Sequence, residues 1–149
     1  MSQAVQLARP LTMKSEGLRL VAYLCPADKW TIGYGHTGRD VKPGLRITEQ
    51  RAVELLEADL ASAATTVRRL VRVPLSAPQE AALIDFVFNL GEGNLATSTL
   101  LRKLNAGDYA SVPAQLRRWT KGRVKGVLKD LQGLIDRREA EVNLWNSKL

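Results

Sequence analysis

The chain has 149 residues, 45% apolar and 25% charged, which suits one compact soluble domain able to hide roughly 70% of its unfolded surface. Lys and Arg number 22 against 15 Asp and Glu, a net charge of +7 that favours anionic partners. The lone Cys25 excludes an internal disulfide.

The N-terminal stretch Met1 to Lys14 is too polar for a signal peptide and is interrupted by Arg9 and Pro10. No run approaches the ~20 apolar residues of a membrane span. A chain made and held in the cytosol is expected, without an anchor. Residues 2–15 predict one or two helical turns broken near Pro10. From Gly17 to Leu45 the Gly and Pro residues are too dense for a long helix. The β-prone runs Leu18 to Leu24 and Trp30 to Tyr34, joined through Pro26-Ala27-Asp28-Lys29, predict an antiparallel hairpin.

The pattern then turns helical. Thr48 caps a helix to about Leu70, with Val53, Leu56, Leu60 and Val67 on one face. Ser76-Ala77-Pro78-Gln79 is a capping box. The helix after it is apolar on most sides, is expected in the centre of the core, and stops at Gly91. Leu100, Leu101 and Leu104 form a short helix, and Asp108 caps another reaching about Trp119. Lys121, Arg123, Lys125 and Lys129, with Gly122 and Gly126, read as a basic linker. A last helix runs from about Leu134 to Trp145, with Leu134, Ile135, Val142 and Trp145 as its core-facing stripe. The expected class is α+β: one domain over 1–149, with a small β-lobe at about 16–47, a linking helix at about 48–70 and a helical lobe at about 75–149.

Chemistry concentrates between Glu16 and Thr37. A carboxyl in a partly dry cleft can protonate a leaving oxygen, and a hydroxyl can hold a water. Acetal hydrolysis needs that pair. Read from spacing alone, Glu16 is a capping or surface residue at a helix boundary.

The register Glu16, eight residues, Cys25, five residues, Thr31 resembles the phage-type lysozymes, the endolysins of T-even and lambdoid phages in glycoside hydrolase family 24. Further matching blocks are Glu16-Gly17-Leu18-Arg19-Leu20, Thr31-Ile32-Gly33-Tyr34-Gly35-His36-Thr37 and Gln79 through Asn89-Leu90-Gly91. Ser98 through Asp108, Trp119, and Gly133 through Glu141 complete the set. The resemblance implies a lysozyme-like fold of two lobes joined by a long helix. It implies cleavage of the β-1,4 bond between N-acetylmuramic acid and N-acetylglucosamine in peptidoglycan, without cofactor or metal. Glu16 would be the general acid and Thr31 would position water. Cys25 stands where many members carry Asp, leaving it as base, nucleophile or filler. A free thiol is mostly neutral at pH 7 unless its site lowers its pKa.

Supporting residues follow. His36 reads as a brace paired with a carboxylate in the β-lobe, rather than as a base. One of Arg137 and Arg138 reaches Glu16 from the last helix, or both form surface ion pairs with Glu139 or Glu141. Thr37 and Phe88 are candidate substrate contacts, Phe88 alternatively a core residue. Expected partners are peptidoglycan, a separate holin for export, and an anionic cell-wall or outer-membrane surface. Nucleic acid is not expected, and a monomer is. Two rival functions stand beside hydrolysis: a membrane-disrupting protein acting through the basic C-terminal helix, and a lytic transglycosylase.

Overall fold

The computed structural model describes residues 1–148. Helix α1 spans Gln3–Glu16, capped by Ser2, whose Oγ accepts from the Val5 N–H at 3.2 Å. Pro10 does not break it. An internal Pro costs about 3 kcal/mol because an N–H is lost and the ring crowds the preceding turn. Here Pro10 and Gln6 both face solvent, so the unpaired Gln6 carbonyl can be hydrated. Ala4, Val5, Ala8 and Thr12 bury the opposite face, which packs on the central helix. That tertiary contact outweighs the local break the sequence predicts.

The β-lobe holds three antiparallel strands in the order β1 (Arg19–Leu24), β2 (Trp30–Gly33) and β3 (His36–Thr37). Leu24 pairs with Trp30, and Tyr23 with Thr31, so the expected hairpin forms. A small core of Ile32, Val41 and Leu55 lies beneath. Helix α2 (Glu49–Leu70), capped by Thr48, supplies Leu55 to this core and Leu56, Leu60 and Val67 to the larger one. At 22 residues it is about 33 Å long, enough to join the two lobes.

Helix α3 (Ala77–Leu90) has both hydrogen bonds of its capping box, and every residue from Ala81 to Val87 is buried. It is the axis of the helical lobe, as expected. Around it lie α4 (Glu92–Ala96), which the sequence does not announce, α5 (Thr99–Asn105), a 3-10 turn at Tyr109–Ser111, and α6 (Val112–Leu116). Asp108 caps that turn, and the helical run ends earlier than Trp119. Trp119 instead sets its ring edge-on to Phe86, centroids 5.4 Å apart.

The basic segment is not a linker. It folds as a hairpin of β4 (Lys121–Val124) and β5 (Val127–Asp130), turning at Lys125-Gly126, both with positive φ. That pair of angles is the primed turn that matches strand twist. Helix α7 (Gln132–Trp145) closes the lobe. Val142 and Trp145 are buried as expected, while Leu134 and Ile135 are only partly so. The most buried places on α7 instead include Arg137, Arg138 and Glu141.

Candidate active site

Glu16 is the last residue of α1, where Gly17 stops the helix with φ 72°. Its Oε2 accepts from Arg137 Nη1 at 2.5 Å. Its Oε1 lies against Gly35: a Cβ built there would approach within 2.4 Å. Gly35 also has φ 74°, so both space and backbone demand glycine. One carboxylate oxygen is thereby clamped and the other is directed past bare backbone.

Arg137 is only 5% exposed and is itself clamped. Its Nε and Nη2 donate to Asp85 Oδ2 and Oδ1 at 2.9 and 2.8 Å, a bidentate fork. Thr12 Oγ1 donates to the same Asp85 at 2.7 Å. Burial opposes ionising Asp85, but the bonds from Arg137 outweigh it and hold the carboxyl below its ordinary value. Burial likewise pulls the guanidinium down, yet Asp85 and then Glu16 raise it overall, so Arg137 stays charged.

Arg138 does not reach Glu16. Its Nη2 donates to Glu141 Oε2 and to Asn89 Oδ1, both at 2.8 Å, while Nε lies 2.7 Å from Glu141 Oε1 as a charge contact without hydrogen-bond geometry. Burial, reinforced by Asp85, pushes the Glu141 carboxyl well up. The two arginines are therefore not surface cations. Glu139 pairs with Arg117 instead.

Cys25 stands at the turn of the β1–β2 hairpin, which Cys25 N–H→Lys29 O at 3.0 Å and Asp28 N–H→Cys25 O at 2.9 Å hold closed. The backbone N–H of Lys29 does most to bring the thiol below its ordinary pKa. Burial opposes this. Thr31, 3% exposed on the middle strand, donates its hydroxyl proton to Lys29 O at 2.9 Å. Its free lone pairs can accept from a water. Four residues of chain join Thr31 to Gly35, at most about 14 Å.

His36 is braced from both sides. Nδ1 meets Asp59 of α2 at 2.7 Å and Nε2 meets Asp40 at 3.0 Å. Burial works to lower its pKa, but the two carboxylates prevail and raise it. With both ring nitrogens engaged, it has no free one for a substrate. Thr37 and Phe88 face one cavity of about 320 Å³ between the lobes, shared with Gly35, Asp59 and Ser62. Phe88 also lies 5.9 Å from the Arg137 guanidinium. A larger cavity of about 1230 Å³, bounded by α1 and α7, has Glu16, Arg137 and Asn89 in its wall. The two adjoin where Glu16 meets Gly35.

Residues 13–141 match the family model described as phage lysozyme. The chain belongs to the phage lysozyme family. It is 43% identical to the endolysin of Acyrthosiphon pisum secondary endosymbiont phage 1 over 137 residues, covering 92% of this chain and 93% of that one. Among solved structures it superposes on the muramidase domain of SpmX from Asticcacaulis excentricus with TM-score 0.87 and 35% identity, covering 94% and 95% of the two chains. A P22 lysozyme variant follows at TM-score 0.80 and 34% identity, covering 99% and 97%. This chain is thus a glycoside hydrolase of the lysozyme type, with the lysozyme-like α+β fold.

The sequence pointed to Glu16, Cys25 and Thr31 but not to Asp85, Thr12, Gly35 or Asp59. Asp85 had a signal: it is the one acid in the apolar run Ala81 to Leu90, and a buried acid needs a cationic partner.

Proposed function

We propose that the chain is an endolysin muramidase that hydrolyses the β-1,4 bond between N-acetylmuramic acid and N-acetylglucosamine and so lyses the host cell. The observation that carries this reading is the split environment of Glu16, with Oε2 held by Arg137 and Oε1 open past Gly35. In the reaction, Oε1 gives its proton to the glycosidic oxygen and the sugar C1–O bond breaks. A water held by Thr31 adds to C1. The Cys25 thiol, whose pKa lies below its ordinary value, takes the water's proton as thiolate. Thr37 and Phe88 bound the sugar site, and His36 braces the strand edge beneath Thr37.

The protein acts alone on peptidoglycan and waits on a separate holin to reach it. No helix among the described residues is long and apolar enough to cross a membrane. Release of reducing sugar from purified peptidoglycan tests the assignment. Glu16→Gln, which keeps the Arg137 contact, should lose roughly 10²–10⁴-fold. Equal digestion by wild type and Glu16→Gln defeats the proposal. For the thiol, Cys25→Ala should lose the rise in rate that accompanies thiolate formation, and Cys25→Asp should regain activity at lower pH. A Cys25→Ala profile that matches wild type reduces Cys25 to a filler.

A further inference from the structure

The β4–β5 hairpin carries four exposed cations. Lys121, Arg123, Lys125 and Lys129 face one acid, Asp130. Lys121 is 3.4 Å from Asp130, and Arg123 donates to the Gly126 carbonyl within the turn. Lys125 and Lys129 have no ion-pair partner among the described residues.

The same hairpin carries unused apolar surface. Val124, Val127 and Leu128 are 36%, 59% and 54% exposed and belong to neither core. Val124 pairs directly with Val127, and Leu128 with Arg123. Only the foot is packed: Gly122 lies against Leu131 and Leu134, with no room for a side chain, and the Leu131 N–H bonds the Thr120 carbonyl at 2.9 Å. Beyond the foot the hairpin projects freely. A two-stranded ribbon is marginal in water by itself. This one leaves its aliphatic pair outside the protein, ringed by lysines.

We infer that the hairpin docks the protein on a bilayer rich in anionic phospholipid. The aliphatic tip enters the interface while the basic side chains reach back to the headgroups. Charge complementarity selects the partner, since each basic group near an anionic leaflet adds attraction. A soluble wall polyanion would use the cations but gain nothing from Val124, Val127 and Leu128. This inference does not depend on the chemistry assigned to Glu16.

Co-sedimentation of the whole chain with vesicles tests it. One set contains one-third phosphatidylglycerol in phosphatidylcholine and the other phosphatidylcholine alone. The anionic vesicles should bind at least tenfold more tightly. Both Lys125→Gln/Lys129→Gln and Val124→Ser/Val127→Ser/Leu128→Ser should lose that preference, while hydrolysis of soluble wall fragments stays at the wild-type rate. The serine variant tests the apolar half because it keeps every charge. If it binds like wild type, or soluble polyphosphate binds as tightly as the vesicles, the partner is a polyanion and the inference fails. It fails also if no vesicle binds, or if the tip instead mediates concentration-dependent dimers.

Discussion

Glu16 and Thr31 are held in place by two regions built on different principles. On the helical side, Glu16 is fixed by buried charge, through Arg137 to Asp85, on three helices distant in sequence. On the β side, Cys25 and Thr31 are fixed by backbone, within one hairpin and mostly by neighbours a few residues away. The first arrangement is costly to break, because an orphaned buried charge has no water to turn to. The second is local and leaves Cys25 partly exposed.

Arg137→Met tests the helical side hardest. It strands Asp85 beside Thr12 without a cation, and should cost about 3–5 kcal/mol in denaturant unfolding. Asp85→Asn/Arg137→Met should recover part of that loss, because the orphaned charge is gone. If the single variant unfolds like wild type, the contrast between the two sides is lost.

Gly35→Ala probes the seam between them. The new methyl meets Glu16 Oε1, and a shift of an ångström in the acid proposed above would cost on the order of 10²-fold in rate. Wall hydrolysis should fall by that factor while the spectroscopic signature of the helices is kept. An unchanged rate means Glu16 is not confined as described.

His36→Asn tests the β side. Because the folded pKa of His36 is raised, its stabilisation is complete below the unfolded value near ~6.5 and fades as pH climbs through the folded value. The groups facing it are Asp59 on α2 and Asp40 in the following loop. The stability gap between wild type and His36→Asn should be on the order of 1.5 kcal/mol at pH 6 and shrink toward alkaline pH. A gap constant from pH 6 to pH 9 contradicts the charged brace.

The sequence made some of these features legible because their causes are local. The Ser76–Gln79 capping box, the Thr48 cap and the stop at Gly91 depend on a few adjacent residues, and all formed. Pro10 was misleading because its penalty is local while its compensation comes from the packing of α1 on α3. The β4–β5 hairpin was hidden by its lysines. Its turn is Lys125-Gly126 rather than Asn-Gly, and its apolar residues face solvent, so no buried alternation marks the strands. In the site, Glu16 and Thr31 were found through resemblance. Asp85 is not legible locally, because the Arg137 that ionises it lies 52 residues further along the chain.

The clamp on Glu16 also has an order in time. Arg137 follows Glu16 by 121 residues. At synthesis rates of about 5–20 residues per second, roughly 6–24 s separate the two on the ribosome. Through that interval the growing chain carries its acid but not the guanidinium that fixes it. A message broken, or a ribosome stalled, before Arg137 yields a product that has Glu16 and Thr31 yet lacks the contact orienting the acid. Completion of the clamp therefore reports that synthesis has run from Glu16 at least through Arg137.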